Sequence, residues 1–348
     1  MNALTDLWHS GAGRSVDPEL SVVVPLYNEH EVLPMLHERL TRVLRSQGIT
    51  YELVLVDDGS QDATSDMLDT LAASDQAVTA VFLSRNFGKE AALTAGLQQS
   101  AGQAVIVMDA DLQDPPELIP QMLLAWRNGA DVVNMRRRSR EGESFLKRAS
   151  AYCFYRVLNA VSEVDIPADT GDFRLLSRAA VNALDLVVER KRYMKGLFAW
   201  IGFPTVEIEY DRPARAAGAS KWDYLSLIGL AFEGITSFSI APLRLATISG
   251  LLIALGGVLF TLWIVVKTLV LGDPVQGYPS MISLIAVLGG AQLLAIGVLG
   301  EYIGKTYFEA KRRPVFLIRN VVRRGQPRQA TAWAGQPITT KEPYAANY

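Results

Sequence analysis

A chain of 348 residues with 49% hydrophobic content and a formal net charge of −2 is long enough for one large domain plus additions and can bury a sizeable core. Its single cysteine, Cys153, excludes an intrachain disulfide and gives no sign of an oxidising compartment. Three histidines, His9, His30 and His37, come without a cysteine or further histidine partner nearby, so a surface role outweighs zinc binding.

Residues 1–17 are polar and read as a flexible N-terminus without a cleavable signal peptide. Strand and helix signals then alternate. Leu20 to Leu26, Tyr51 to Val56, Val78 to Leu83 and Ala104 to Met108 are short apolar runs, with helix-length segments starting at Glu29, Asp62, Phe87 and Pro116. Continuous rather than alternating apolar strands imply burial on both faces, hence an α/β fold with a mostly parallel sheet covered by helices. Ligands bind such sheets beyond the carboxyl ends of the strands. Those ends carry Pro25-Leu26-Tyr27-Asn28-Glu29, Asp57-Asp58-Gly59-Ser60, Ser84-Arg85-Asn86-Phe87-Gly88-Lys89 and Asp109-Ala110-Asp111-Leu112-Gln113, so every strand delivers polar groups to one rim.

Each cluster has a local explanation when taken singly. Asp58-Gly59-Ser60 suits a turn and a helix cap, Tyr27 suits packing, and Asp109 with Asp111 suits helix initiation before Pro115 and Pro116. Their recurrence at consecutive strand ends is what favours a site. Asp109 and Asp111, one residue apart where a buried strand meets solvent, offer hard oxygen ligands to one divalent cation and leave positions open for a substrate's phosphates.

Val24-Pro25-Leu26-Tyr27-Asn28-Glu29, Val56-Asp57-Asp58-Gly59-Ser60, Ser84-Arg85-Asn86-Phe87-Gly88-Lys89-Glu90 and Met108-Asp109-Ala110-Asp111-Leu112-Gln113-Asp114-Pro115-Pro116-Glu117 resemble the family-2 glycosyltransferases. Within them the chain resembles the polyprenyl-phosphate branch of bactoprenol glucosyltransferases and dolichol-phosphate mannose synthases, over roughly residues 20–320. The resemblance implies a glycosyltransferase A-type, Rossmann-like domain, a nucleotide-diphosphate-sugar donor, Mg²⁺ or Mn²⁺, and inverting transfer to a lipid phosphate. Carried onto this chain, Pro25, Tyr27, Glu29, Asp57, Asp58, Arg85, Lys89 and Gln113 would bind the donor. Tyr27 would stack on the base, Glu29 approach the ribose, and Asp57 accept from the uracil ring. Asp109 and Asp111, with Gln113 beside them, would hold the metal. A departing diphosphate develops charge that such an ion neutralises.

Residues 145–158 mix bulky apolar and basic side chains and read as a helix lying at a bilayer interface, with an ordinary buried amphipathic helix as the alternative. Asp169 to Ser177 follows the family's pattern around its proposed catalytic aspartate, here Asp172, with Arg174 close by. A phosphate monoester has a second pKa of about 6, so a polyprenyl phosphate is already mostly dianionic at neutral pH. Asp172 therefore has either of two roles, general base or positioning group, and a pH–rate profile of Asp172→Asn separates them. Two anions must approach one another, so cations are required near the acceptor: Arg136, Arg138, Arg140, Arg192, Lys195, and Lys221 beside Ser220.

Leu245 to Leu271 and Met281 to Gly304 are each apolar and long enough to cross a hydrocarbon core of ~30 Å. Arg244 precedes the first, and Lys305, Lys311, Arg312 and Arg313 follow the second, while the link 272–280 has no lysine or arginine. The positive-inside rule then puts both termini in the cytoplasm. The basic runs Arg136–Arg148 and Lys311–Arg324 are read as facing anionic lipid rather than nucleic acid, with solvated surface as the alternative. Tyr224 to Leu243 fits an interfacial course, and glycines such as Gly289 and Gly297 offer faces for helix contact within or between subunits.

The expected organisation is a flexible start (1–17), a cytoplasmic catalytic domain (18–220), an interfacial helix (221–243), two membrane spans (244–305), a basic return segment (306–324) and a disordered tail (325–348). The expected activity is transfer of one sugar, best read as glucose from UDP-glucose, to undecaprenyl or a related polyprenyl phosphate in the inner membrane. A flippase and a glycan-modifying transferase would act downstream. Mannose, N-acetylgalactosamine or aminoarabinose donors are the alternatives, and a non-catalytic nucleotide-binding scaffold is the reading from another class.

Overall fold

In a computed structural model, the described residues are 18–138, 156, 170–187, 189, 192–211, 241–271, 277–323 and 329–330. The interfacial reading of 145–158, apart from Arg156, and those of Arg140, Ser220, Lys221 and 221–240 fall outside them.

The first half alternates strand and helix: β1 (Leu20–Leu26), α1 (Leu33–Ser46), β2 (Tyr51–Asp57), α2 (Thr64–Ser74), β3 (Val78–Leu83), α3 (Lys89–Gln99), β4 (Ala104–Val107), then a 3₁₀ turn (Pro116–Leu118) leading into α4 (Ile119–Arg127). The four strands expected from their apolar runs are all present, and they pair in parallel in the order β4-β1-β2-β3. Their side chains alternate between two cores. Val22 and Val24 point into one, with Leu33, Leu36, Leu40 and Leu44 of α1, Leu68 of α2 and Met122 of α4. Val23 points into the other, with Ala92, Leu93 and Leu97 of α3. Leu33, Leu36, Leu40 and Leu44 recur every three or four residues, so one stripe of α1 meets the sheet. α3 approaches more closely. A Cβ on Gly96 would lie 2.3 Å from Val23 Cγ1, so the helix can rest here only on a residue without a side chain.

The remaining strands extend this sheet on both sides. β5 (Val132–Arg137), β6 (Thr170–Ser177), α5 (Arg178–Asp185), α6 (Met194–Trp200) and β7 (Thr205–Tyr210) follow in sequence, and β6 runs antiparallel to both β4 and β5. The start of β6 and the end of β5 therefore lie at the carboxyl end of β4. β7, parallel to β5, ends there too. The chain order thus gathers residues from 25 to 210 on a single rim.

Two long helices follow, α7 (Ala241–Leu271) and α8 (Tyr278–Ala310). Pro242–Phe260 and Val287–Ala310 are apolar stretches long enough to cross a membrane, and none of either stretch is buried within the chain. Leu251, Leu262, Leu269, Leu293 and Ile296 are each more than half exposed, an apolar surface far beyond that of an ordinary soluble domain. The basic stretch expected as a return segment continues α8 to Ala310 and then forms β8 (Ile318–Arg323), which pairs antiparallel with β3. A short β9 (Gln329–Ala330) closes the edge, giving the order β7-β5-β6-β4-β1-β2-β3-β8-β9.

Candidate active site

A cleft of about 300 Å³ opens at the carboxyl ends of the parallel strands and is lined by Pro25, Tyr27, Glu29, Asp58, Lys89, Asp109 and Asp111, with Asn86 and Gly88 on the same wall. Of the residues expected to bind the donor or metal, seven thus share one cavity. Tyr27, 38% exposed, presents an aromatic face at its edge.

The loops that form this wall are tied to one another. Asn28, with φ of 57°, accepts from the Gln61 N–H at 2.8 Å, and its own N–H donates to Ser60 Oγ at 3.0 Å. Asp57 is fully buried; its carboxylate accepts from the Ser60 N–H at 2.9 Å and from Ser65 Oγ at 2.5 Å. It closes the loop and does not line the cleft, whereas Asp58 does. Asp58 accepts from the N–H groups of Phe87 and Gly88 at 2.7 and 2.8 Å, and its pKa is raised because burial outweighs these bonds. Gly59 has φ of +68°, and a Cβ there would sit 2.6 Å from the Arg85 carbonyl carbon. Only glycine meets both conditions. Arg85 itself lies outside the cavity lining, with its guanidinium 4.1 Å from the Phe87 ring centre and donating to the Asn86 carbonyl at 2.8 Å.

The acidic loop is bent by Leu112, whose φ of 57° is rare for an apolar side chain and costs on the order of 1–3 kcal/mol. The bend turns Asp111 back so that its Oδ1 accepts from the Gln113 N–H at 3.1 Å. Gln113 is buried, 9% exposed, and does not line the cleft. Asp114, which sequence reasoning passed over, lies 2% exposed behind the pair. It accepts from the Asp109 N–H at 3.2 Å and from the Tyr210 hydroxyl at 3.0 Å. Burial, reinforced by the charge of Asp109, pushes Asp114 up to about 6, and burial pushes Tyr210 up to about 12.

Next to this loop lies a cluster of opposite charges. The Lys89 ammonium lies 2.5 Å from Asp109 Oδ1 and also binds Asp172. Burial would lower the Lys89 pKa, but the two carboxylates outweigh it and hold it well above the lysine range. Burial would raise Asp172, yet Lys89, Lys195 and Arg174 together hold it well below the carboxylate range. Arg174 is 2% exposed, lowered to about 10 by burial, and its guanidinium lies 3.9 Å from the Phe198 ring centre while donating to the Gly171 carbonyl at 2.7 Å. Burial also lowers Lys195, whose charged neighbours are Asp172, Lys89, Arg174 and Arg137. Glu90 adjoins the same group. Burial first, then the charge of Asp172, pushes it up to about 7, and its Oε2 is buried without a hydrogen-bond partner among the described residues, as is Asp172 Oδ1.

The expected acceptor cations divide. Lys195 joins the cluster. Arg136 instead meets Glu207 at 3.3 Å, and Arg138 meets Glu209 at 3.6 Å and Asp211 at 3.4 Å, all on the exposed edge at β7. Arg137 between them points the other way, towards Gly171, Tyr210 and Asp114. Arg192 donates to the Val187 carbonyl at 2.5 Å and the Glu189 carbonyl at 3.1 Å, so it clamps its own loop. His30 and His37 are 2.7 Å from Asp62 and 3.0 Å from Asp75, away from the cleft.

Among the described residues no three histidine, cysteine, aspartate or glutamate side chains converge as a closed metal cage. Two carboxylates one residue apart on an open cleft do fit a hard divalent cation whose remaining positions are filled by phosphate oxygens and water. Softer metals would call for the cysteine or histidine ligands that this cleft lacks.

Residues 21–185 match the family described as glycosyl transferase family 2. An uncharacterized glycosyltransferase of Synechocystis sp. is 46% identical over 303 residues, covering 87% of this chain and 95% of its own length. The bactoprenol glucosyl transferase of Shigella phage SfV is 45% identical, covering 87% of this chain and 98% of its own. A prophage bactoprenol glucosyl transferase homolog of Escherichia coli is 43% identical, covering 87% and 99%. Among solved structures, glucosyl-3-phosphoglycerate synthase from Mycobacterium tuberculosis, in complex with Mn²⁺, UDP-glucose and phosphoglyceric acid, is 17% identical over 63% of this chain and 77% of that one, with a TM-score of 0.42.

Proposed function

The chain belongs to glycosyl transferase family 2, and from that premise we propose that it moves a single glucose from UDP-glucose to undecaprenyl or a related polyprenyl phosphate with inversion. The observation that carries this reading is the juxtaposition, through Lys89, of the acidic pair at the end of β4 with the buried cations around Asp172. The acceptor and the sugar are those in the names of relatives 43–45% identical over 87% of this chain.

On the donor side, Tyr27 offers a stacking face for the base and Glu29 reaches the ribose. Asp58, which lines the cleft, takes the base-facing part that the family resemblance gave to Asp57. Asp109 and Asp111 would hold Mg²⁺ or Mn²⁺, which supplies charge neutralisation for the departing diphosphate. Only hard oxygen ligands are needed for that.

On the acceptor side, Lys195, Arg174 and Arg137 draw a phosphate dianion towards the sugar, and arginine suits two-point contact with phosphate oxygens. The dianion arrives already deprotonated, so Asp172 has no proton to remove. Pinned between Lys89 and Lys195, it is a weak base and a strong orienting anion: it fixes the cations that fix the nucleophile. Attack on the face opposite the diphosphate inverts the anomeric centre.

The exposed apolar faces of α7 and α8 support an inner-membrane location for these two helices, and the basic Lys311-Arg312-Arg313 run favours the cytoplasmic side for the end of α8, where the lipid phosphate and the nucleotide sugar would meet. The test is to incubate the purified full chain with Mg²⁺ or Mn²⁺, a short polyprenyl phosphate and a panel of labelled nucleotide sugars. A glucosyl phospholipid formed only from UDP-glucose supports the proposal. A product carrying another sugar would overturn the donor, and no glycolipid from a folded, nucleotide-binding preparation would overturn the activity.

A further inference from the structure

Lys89 is the first residue of α3, directly after Gly88 at φ +98°, and the Phe87 and Gly88 N–H groups are anchored on Asp58. Its side chain leaves this donor-side anchor and ends between two carboxylates from different strands. Asp109 follows β4 and belongs to the pair proposed to hold the divalent cation. Asp172 lies on β6 among Lys195 and Arg174, on the acceptor side. One ammonium thus bridges the two halves of the site.

Asp109 cannot keep this contact and also serve a divalent cation without bringing two positive centres within a few ångströms of each other, where repulsion is strong even in a well-screened protein environment. We infer that Lys89 is an exchangeable counter-ion: it neutralises Asp109 while the donor site is empty, and gives Asp109 up when the donor loads, keeping Asp172. Released from one carboxylate, the ammonium has N–H groups to offer an incoming phosphate. Donor binding then completes the acceptor site, and the cation binds weakly until a nucleotide diphosphate comes with it. This inference rests on the metal reading proposed above. It differs from that reading in predicting that removing a lysine strengthens metal binding.

The experiment is Mn²⁺ titration of the full-length protein in detergent, followed by electron paramagnetic resonance, first without nucleotide and then with UDP. Lys89→Met, with Lys89→Gln as a second variant, is expected to bind Mn²⁺ without nucleotide on the order of tenfold more tightly than wild type. Lys195→Met removes a cation from the same cluster that faces Asp172, and is expected to change the affinity about twofold at most. Asp172→Asn leaves Lys89 undivided on Asp109, so Mn²⁺ binding weakens several-fold, and this effect disappears in the Lys89→Met background. A loss of fold would weaken binding rather than strengthen it. Unchanged or weaker Mn²⁺ affinity in both Lys89 variants, an equal gain from Lys195→Met, or an Asp172→Asn effect that survives Lys89→Met would each overturn the exchange while leaving the metal site standing. Failure of every protein to bind Mn²⁺, even with UDP, would overturn the metal reading and the exchange together.

Discussion

Asp172 carries the clearest residue-level consequence. Lys89, Lys195 and Arg174 hold its pKa well below the usual carboxylate range, so it stays ionised across the working pH range and cannot generate a titration limb near neutrality. Asp172→Asn is expected to lower kcat/KM on the order of 10²-fold at every pH from 6 to 9, leaving the shape of the profile unchanged. A limb that vanishes in the variant would make Asp172 a base after all. Glu90 titrates in the opposite sense. Its folded pKa is raised to about 7, so the native state binds more protons than the unfolded chain between about pH 4.5 and 7, and stability falls as pH rises through that window. Glu90→Gln should remove this slope and stabilise the protein by about 3 kcal/mol at pH 8, while changing little at pH 4. Melting curves in detergent would show it, and a pH dependence identical to wild type would refute it. The acidic pair was legible in the sequence because two carboxylates follow an uninterrupted apolar run. Arg137 was not. Three arginines in a row give no ranking until β5 is known to be a strand, after which alternation separates Arg137 from Arg136 and Arg138.

At the scale of elements, the rim depends on how tightly its loops cross. Gly59→Ala would place a methyl group 2.6 Å from the Arg85 carbonyl carbon at a φ of +68°. The substitution should cost about 2–4 kcal/mol and raise the KM for the nucleotide sugar more than it lowers kcat. An unchanged KM would mean that the Asp58 loop does not shape the donor site. β8 matters for another reason, because it joins the end of the two long apolar helices to the sheet through the pairing of Val321 with Val81. Proline at 321 removes a ladder donor, and Val321→Pro is expected to lower the melting temperature by several degrees. The four parallel strands could be read from composition, since each is buried on both faces. β5, β7 and β8 could not: Thr-Val-Glu-Ile-Glu-Tyr and Ile-Arg-Asn-Val-Val-Arg mix charge with apolar residues because they lie towards the sheet edges, where one face meets solvent. β8 is further hidden by its place after the two long apolar helices, far in sequence from the strand it pairs with.

For the whole molecule, two apolar helices were evident from length and hydropathy, whereas their connection back into the sheet was not. That connection ties the chain after α8 to the edge of the sheet through the pairing of β8 with β3. In sealed vesicles, transfer should proceed only with UDP-glucose on the side bearing the Lys311-Arg312-Arg313 run. The central claim is that the Asp109 and Asp111 pair promotes transfer of one glucose to an ionised lipid phosphate. The most direct test is the mass and anomeric configuration of the lipid made from UDP-α-glucose, polyprenyl phosphate and Mn²⁺ by wild type and by Asp111→Ala. Wild type should make a single β-linked hexose on the phosphate, and a normally folded Asp111→Ala should turn over more slowly by on the order of 10²–10³-fold. An α-linked product, a polymer, or full turnover by Asp111→Ala would contradict the central claim.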